Sequence, residues 1–132
     1  MDIELGKDLG AVEGYSSQRL TLYIPNKDKA GKRFANLGKW IDEAREVLSQ
    51  IGGGSTAYPP ADGTWVNEKG ENLWEKTRII FCYVFPDRLH AKVIELREFL
   101  HRFGRETNQG EVVVEFDDRF WRIKKFDPPA RG

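Results

Sequence analysis

The chain has 132 residues, 39% hydrophobic and 12% aromatic, which is enough for one packed core and one domain. Its 21 basic and 21 acidic residues cancel, so no global field steers it to duplex nucleic acid or to an anionic membrane surface. A single cysteine, Cys82, excludes an internal disulfide and points to a reducing, cytoplasmic compartment; the acidic N-terminus lacks the apolar run of a signal peptide, and no stretch of about 18 apolar residues offers a membrane span.

Residues 1–18 carry Ile3, Leu5, Leu9 and Val12 scattered among glycines and charges, and they read as an N-terminal arm with at most one short strand. In Arg19 to Ile24, Leu20, Leu22 and Ile24 alternate with Arg19, Thr21 and Tyr23, the period-two pattern of a strand with one buried face. Pro25 stops that strand and Asn26 or Asp28 is placed to cap a helix. Phe34, Leu37, Ile41, Ala44, Leu48 and Ile51 then recur every three or four residues, predicting an amphipathic helix from about Lys29 to Ile51 that Gly52 closes.

After Gly53 and Gly54, turn residues at Pro59-Pro60, Asp62-Gly63 and Lys69-Gly70 punctuate two short strands around Trp65 and Trp74, with a reversal at Asn67 to Gly70. Thr77 to Phe85 follows as the most apolar strand. Pro86 and Asp87 open a second helix, whose stripe is Leu89, Val93, Leu96, Leu100 and Phe103 and whose end is predicted at Gly104. Glu111 to Phe116 is a strand, and Asp117-Asp118 turns it into a last one around Phe120, Trp121 and Ile123.

This order predicts an α+β fold: a ferredoxin-like βαββαβ sandwich, an antiparallel sheet with two helices on one face and an extra β-hairpin. The divisions are an arm over 1–18, one domain over 19–126 and a tail over 127–132. If Ile80, Cys82 and Val84 face the helices with Leu20, Leu22 and Ile24, then Tyr23, Ile79, Phe81 and Tyr83 face outward as an aromatic patch for a ligand or partner.

Residues able to carry chemistry are few. Gly52-Gly53-Gly54-Ser55-Thr56 leaves a helix C-terminus, the wrong end for a phosphate cradle. His90 and His101 lie about 16 Å apart along a helix and cannot share a metal, so no metal site is expected. Cys82 reads as core. Glu115 and Asp117 fall on one side of a strand and are weighed as a carboxylate cluster with Glu75, against the plainer reading as exposed edge charges.

The segment from Gly53 to Glu75 has a Gly-Gly-x-Thr start at Gly53, Gly54 and Thr56, a central Gly63-Thr64-Trp65, and Glu75 before an apolar strand. It resembles a pattern of small uncharacterised bacterial α+β proteins. The resemblance implies a prokaryotic or phage setting and supports the fold, but it implies no activity and no catalytic residues.

With no nucleophile–base pair, metal cluster or cofactor loop in view, the expected function is a non-catalytic binding or accessory module without a cofactor, homodimeric through its open sheet face. One alternative is a small enzyme or ligand sensor with an aromatic-lined pocket between two facing sheets, with Thr56, Tyr58, Glu75, Arg78 and His90 as its polar groups. Another is a single-strand nucleic-acid binder stacking bases on Tyr23, Phe81 and Tyr83. The zero net charge and the lack of a glycine-aromatic signature stand against that last reading.

Overall fold

The alternation in the first apolar segment becomes the strand around which the sheet is built. The computed structural model describes residues 4–11 and 16–129. In chain order its elements are α1 (Leu5–Leu9), β1 (Arg19–Pro25), α2 (Leu37–Gly52), β2 (Thr56–Ala57), β3 (Ala61–Val66), β4 (Asn72–Tyr83), α3 (Pro86–Glu106), β5 (Val112–Phe116) and β6 (Arg119–Ile123). The strand order is β2-β4-β1-β5-β6, with β3 also paired to β4, and every pairing is antiparallel. The architecture is α+β, an open antiparallel sheet carrying α2 and α3 on one face.

Both β2 and β3 lie on the side of β4 away from β1, and Pro59-Pro60 separates them because proline has no N–H to continue a ladder. At the other edge β5 and β6 form a two-residue hairpin at Asp117 and Asp118. Both adopt the left-handed conformation, with φ of 53° and 64°, that such tight hairpins require.

Period-two burial sets the core. Leu20, Leu22 and Ile24 of β1, Ile80 and Cys82 of β4, and Val112 and Val114 of β5 turn toward the helices. They meet Trp40, Ile41, Ala44, Leu48 and Ile51 of α2 and Leu96, Phe99, Leu100 and Phe103 of α3. Each fully buried Leu, Ile or Phe contributes roughly 1.5–3 kcal/mol. Trp40 and Phe103 pack edge to face at 5.3 Å, joining the start of α2 to the end of α3.

Several expectations are corrected. The first long helix starts at Leu37 rather than near Lys29, because Asp28 closes a local loop: its Oδ1 accepts the N–H groups of Ala30 (2.8 Å) and Lys32 (3.0 Å). Asn26 does not cap that helix either; its side-chain oxygen accepts the Lys76 N–H at 3.0 Å. Gly52 is still helical and Gly53 takes the left-handed position after it. The strand at Trp74 and the apolar run from Thr77 are one continuous strand, β4. In the N-terminal arm the described part is a short helix with no buried residue, not a strand, while Ile3 and Val12 lie outside the described residues.

Gly104 does not end α3, which runs on to Glu106. Its reason is packing: a Cβ there would collide with the ring of Phe126. The chain beyond β6 lies along α3 at this point. Asp127 accepts two hydrogen bonds from Arg97, at 2.8 and 3.0 Å, and its N–H donates to Nδ1 of buried His101 at 2.8 Å. No helix among the described residues is long and apolar enough to cross a membrane.

Candidate functional site on the open sheet face

Alternation assigns the sheet face without helices to the odd-numbered residues of β1, β3, β4 and β5 and to the even-numbered ones of β6. Cross-strand pairing makes one row of Thr56, Phe81, Thr21, Glu115 and Phe120 through five strands. Thr21 is only 4% exposed although no helix covers it. The larger side chains beside it account for this: Phe81 and Glu115 on the neighbouring strands, Arg19 and Tyr23 two residues either way along β1.

These neighbours are held by specific contacts. The Tyr23 hydroxyl donates to Oε1 of Glu115 at 2.6 Å, and its ring meets Phe120 edge-on at 5.9 Å. Burial of the ring, then the hydrogen bond and negative charge of Glu115, push the Tyr23 phenol up to about 12, partly opposed by the positive Arg19. The Arg19 guanidinium lies 3.7 Å from the centre of the Phe81 ring, which in turn packs against Tyr58 at 5.5 Å and Tyr83 at 6.1 Å.

Beyond Tyr23 the face opens into a concavity of about 1310 Å³, bounded by the β3–β4 hairpin, the loop after β1 and the β5–β6 edge; Tyr23, Trp65, Leu73, Glu75, Thr77 and Phe120 are among its lining residues. Glu75 sits opposite Gly63 on β3. A Cβ on Gly63 would come 2.8 Å from Oγ1 of Thr77 and 3.3 Å from Cγ of Glu75, so the glycine lets both side chains lie over β3. Burial holds the Glu75 carboxyl above the usual range, against the pull of nearby Lys27.

The structure brings together some sequence-derived candidates and separates others. Tyr23, Ile79, Phe81, Tyr83, Thr56 and Glu75 share the open face, and Tyr58 joins them through Phe81. Arg78 does not: it pairs with Ile24 on the helix side, and its Nε donates to the Tyr58 carbonyl at 2.8 Å. His90 is exposed in the first turns of α3, and the helices pack on the opposite side of the sheet, so it is no part of this face. The weighed carboxylate cluster does not assemble. Glu115 belongs to the row of Phe81, roughly 20 Å along β4 from Glu75, and Asp117 is an exposed turn residue. No group of three metal-ligating side chains occurs among the described residues. Cys82 faces the core, where burial pushes its thiol up to about 11.

Sequence reasoning did not single out Arg19, Thr21 or Phe120. Their alternation was legible, but their convergence depends on β1 lying between β4 and β5, a pairing between segments some sixty and ninety positions apart.

No protein-family model matches the chain, and no curated protein matches it in sequence. Its fold is similar to that of a phage SAM lyase. The chain superposes on that protein's complex with S-methyl-5'-thioadenosine with a TM-score of 0.60 at 12% identity, over 84% of this chain and 92% of that one. On the same lyase in its apo state the values are 0.61, 11%, 85% and 92%. This overturns the expectation of a non-catalytic binding or accessory module, since the solved structures sharing the fold along most of the chain are those of an enzyme.

Proposed function

We propose that the protein is an enzyme acting on S-adenosylmethionine, breaking the bond from sulfur to the aminobutyrate carbon and releasing S-methyl-5'-thioadenosine. The bonding pair leaves on sulfur while a carboxylate oxygen of the same substrate bonds to the carbon that sulfur leaves, closing a lactone with no water consumed, so a sulfonium cation becomes a neutral thioether and a carboxylate anion a neutral ester. A reaction that removes charge is favoured where water is scarce, and aromatic rings hold a cation without a counter-ion's hydration. The observation that carries the reading is an open face combining aromatic side chains with two half-buried carboxylates, Glu75 and Glu115, in a fold similar to that of the lyase. In this reading Tyr23, Trp65 and Phe120 receive the nucleoside and sulfonium, and Glu75 accepts a ribose hydroxyl.

Incubating the purified protein with S-adenosylmethionine alone should release S-methyl-5'-thioadenosine, detected by mass spectrometry. Glu75→Gln should lower kcat/KM about 10- to 100-fold, the worth of a charge-assisted hydrogen bond. Intact S-adenosylmethionine after prolonged incubation, with no rise in melting temperature on adding either compound, would overturn the proposal.

The finer architecture belongs with this reading. We take the β4-β1-β5 centre, with β2 and β3 as one interrupted edge strand, as a ferredoxin-like split β-α-β arrangement extended by β6. The strand order and the two crossover helices support it. We also propose that a second copy of the chain covers the aromatic end of the open face, where Tyr83 is 48% exposed, leaving the concavity at the other end of β4 open to substrate. A phage or prokaryotic origin and a cytoplasmic location suit a soluble metabolite as substrate. The division into arm, domain and tail is retained, with β1 beginning at Arg19 in favour of the first boundary and the fastening of Asp127 to α3 against the second.

A further inference from the structure

We propose that β6, a free edge of the sheet, pairs antiparallel with β6 of a second copy about a two-fold axis at Trp121, joining the two sheets into one. The pairing does not depend on the reaction proposed above.

Three observations carry it. The first is a strand with an open side. Among the described residues β6 pairs with β5 alone, Arg119 to Arg122 are all exposed, and Trp121, opposite Val114 on the side of the helices, is still 56% exposed. The second is backbone geometry. The two-residue turn makes Phe116 and Arg119 the closing, hydrogen-bonded pair, so alternation turns the N–H and C=O groups of Arg119, Trp121 and Ile123 toward β5 and those of Phe120 and Arg122 outward. Such an outward row is a template for another extended strand.

The third observation is the order of charges, and it selects the occupant. A two-fold axis normal to a continued sheet keeps each side chain on its own face, so it passes through a residue and not between two. With Trp121 on the axis, Asp117 falls opposite Lys125 of the second copy and Asp118 opposite Lys124. None of these four side chains is in an ion pair among the described residues. Phe120 falls opposite Arg122, repeating between copies the contact in which the Arg122 guanidinium lies 5.0 Å from the centre of the Phe120 ring. Edge arginines ordinarily oppose pairing, but Arg122 is neutralised by Glu111 at 2.9 Å and Arg119 falls opposite the apolar Ile123. Moving the axis to Arg122 would set Arg119 against Lys125, and moving it to Phe120 would set Asp117 against Ile123.

Phe120, Arg122 and Lys124 also line the concavity, so the second copy's strand prolongs its rim. A pairing along one five-residue strand is separate from the cover of the aromatic face and weaker than it, so it joins copies at concentrations above those that form the face-to-face dimer.

Cysteine cross-linking reads such a contact because it traps a minor population. At a non-hydrogen-bonded antiparallel pair the Cα atoms stand about 4.5 Å apart, within the span of a disulfide. Trp121→Cys should therefore link to itself under mild oxidation at high protein concentration, and should do so equally in a Tyr83→Glu background. Arg119→Cys and Ile123→Cys retain Trp121 and should link to each other in an equimolar mixture about 10-fold faster than either links to itself, since identical positions then lie roughly 13 Å apart. Reversing Lys124 and Lys125 to Glu should slow the link about 5-fold. Circular dichroism checks that each variant is folded. A mixture that links no faster than its components, or a charge reversal without effect, overturns the pairing. If Trp121→Cys fails to link while the mixture links as expected, the pairing stands and the Trp121 side chain is part of what holds it.

Discussion

Tyr23 is the residue in which local pattern and tertiary setting meet. Strand alternation turns it outward, and the β1–β5 pairing then brings its hydroxyl to Glu115 at 2.6 Å. Burial and that hydrogen bond favour the neutral phenol, raising its pKa from 10.0 to about 12. A group whose folded pKa lies above its unfolded value contributes stability that is complete below the unfolded value and is lost as pH rises through the folded one. Wild type should therefore exceed Tyr23→Phe in stability below pH 10, and the gap should close toward pH 12. Spectrophotometric titration checks the same point: Tyr23→Phe should remove tyrosinate absorbance that develops near pH 12, and loss of absorbance near pH 10 instead would refute the assignment. Gly104 teaches a related lesson, since a glycine read as a helix stop is instead the seat of the Phe126 ring.

At the scale of the element, α3 shows how a period read slightly wrong moves one residue out of the core. The stripe Leu89, Val93, Leu96, Leu100 and Phe103 averages 3.5 residues per turn, whereas a straight helix turns every 3.6 and drifts from such a stripe by about 20° per heptad. Burial follows Leu89, Lys92, Leu96, Phe99, Leu100 and Phe103 instead, and Val93 is left 49% exposed. Lys92 is half-buried where Val93 was expected to be. Leu96→Ala should cost about 2–5 kcal/mol in denaturant unfolding. Val93→Ala should change stability by less than about 0.5 kcal/mol. Comparable losses at both positions would put the helix face back where the sequence pattern had it.

For the whole molecule, the helices cover one side of the sheet and leave Tyr58, Phe81 and Tyr83 on the other. Apolar area withdrawn from water is worth roughly 25 cal/mol per Å², and stable pairs bury around 1,600 Å² in total, so a second sheet laid over this one is a favourable cover. Light scattering should find a wild-type dimer. Tyr83→Glu, which puts a charge into the contact from the exposed edge, should give monomers with unchanged circular dichroism. A monomeric wild type at high micromolar concentration would rule the dimer out.

What followed from the sequence alone was the set of locally encoded features. Period-two and period-3.6 patterns identified β1, the β3–β4 hairpin, both long helices and the outward face of Tyr23, Ile79, Phe81 and Tyr83, because burial on one side of an element leaves its mark within a dozen residues. The Asp28 loop escaped, since a side chain bonding its own backbone competes with helix at a spacing that also looks like a cap. The site was legible only in fragments. Arg19, Thr21 and Tyr23 were visible as one strand face, but which charges stand opposite them is decided by the order β4-β1-β5, and strand order is set by how the two helices cross back over the sheet. Chemistry here belongs to side chains gathered from three strands, and only the tertiary structure gathers them.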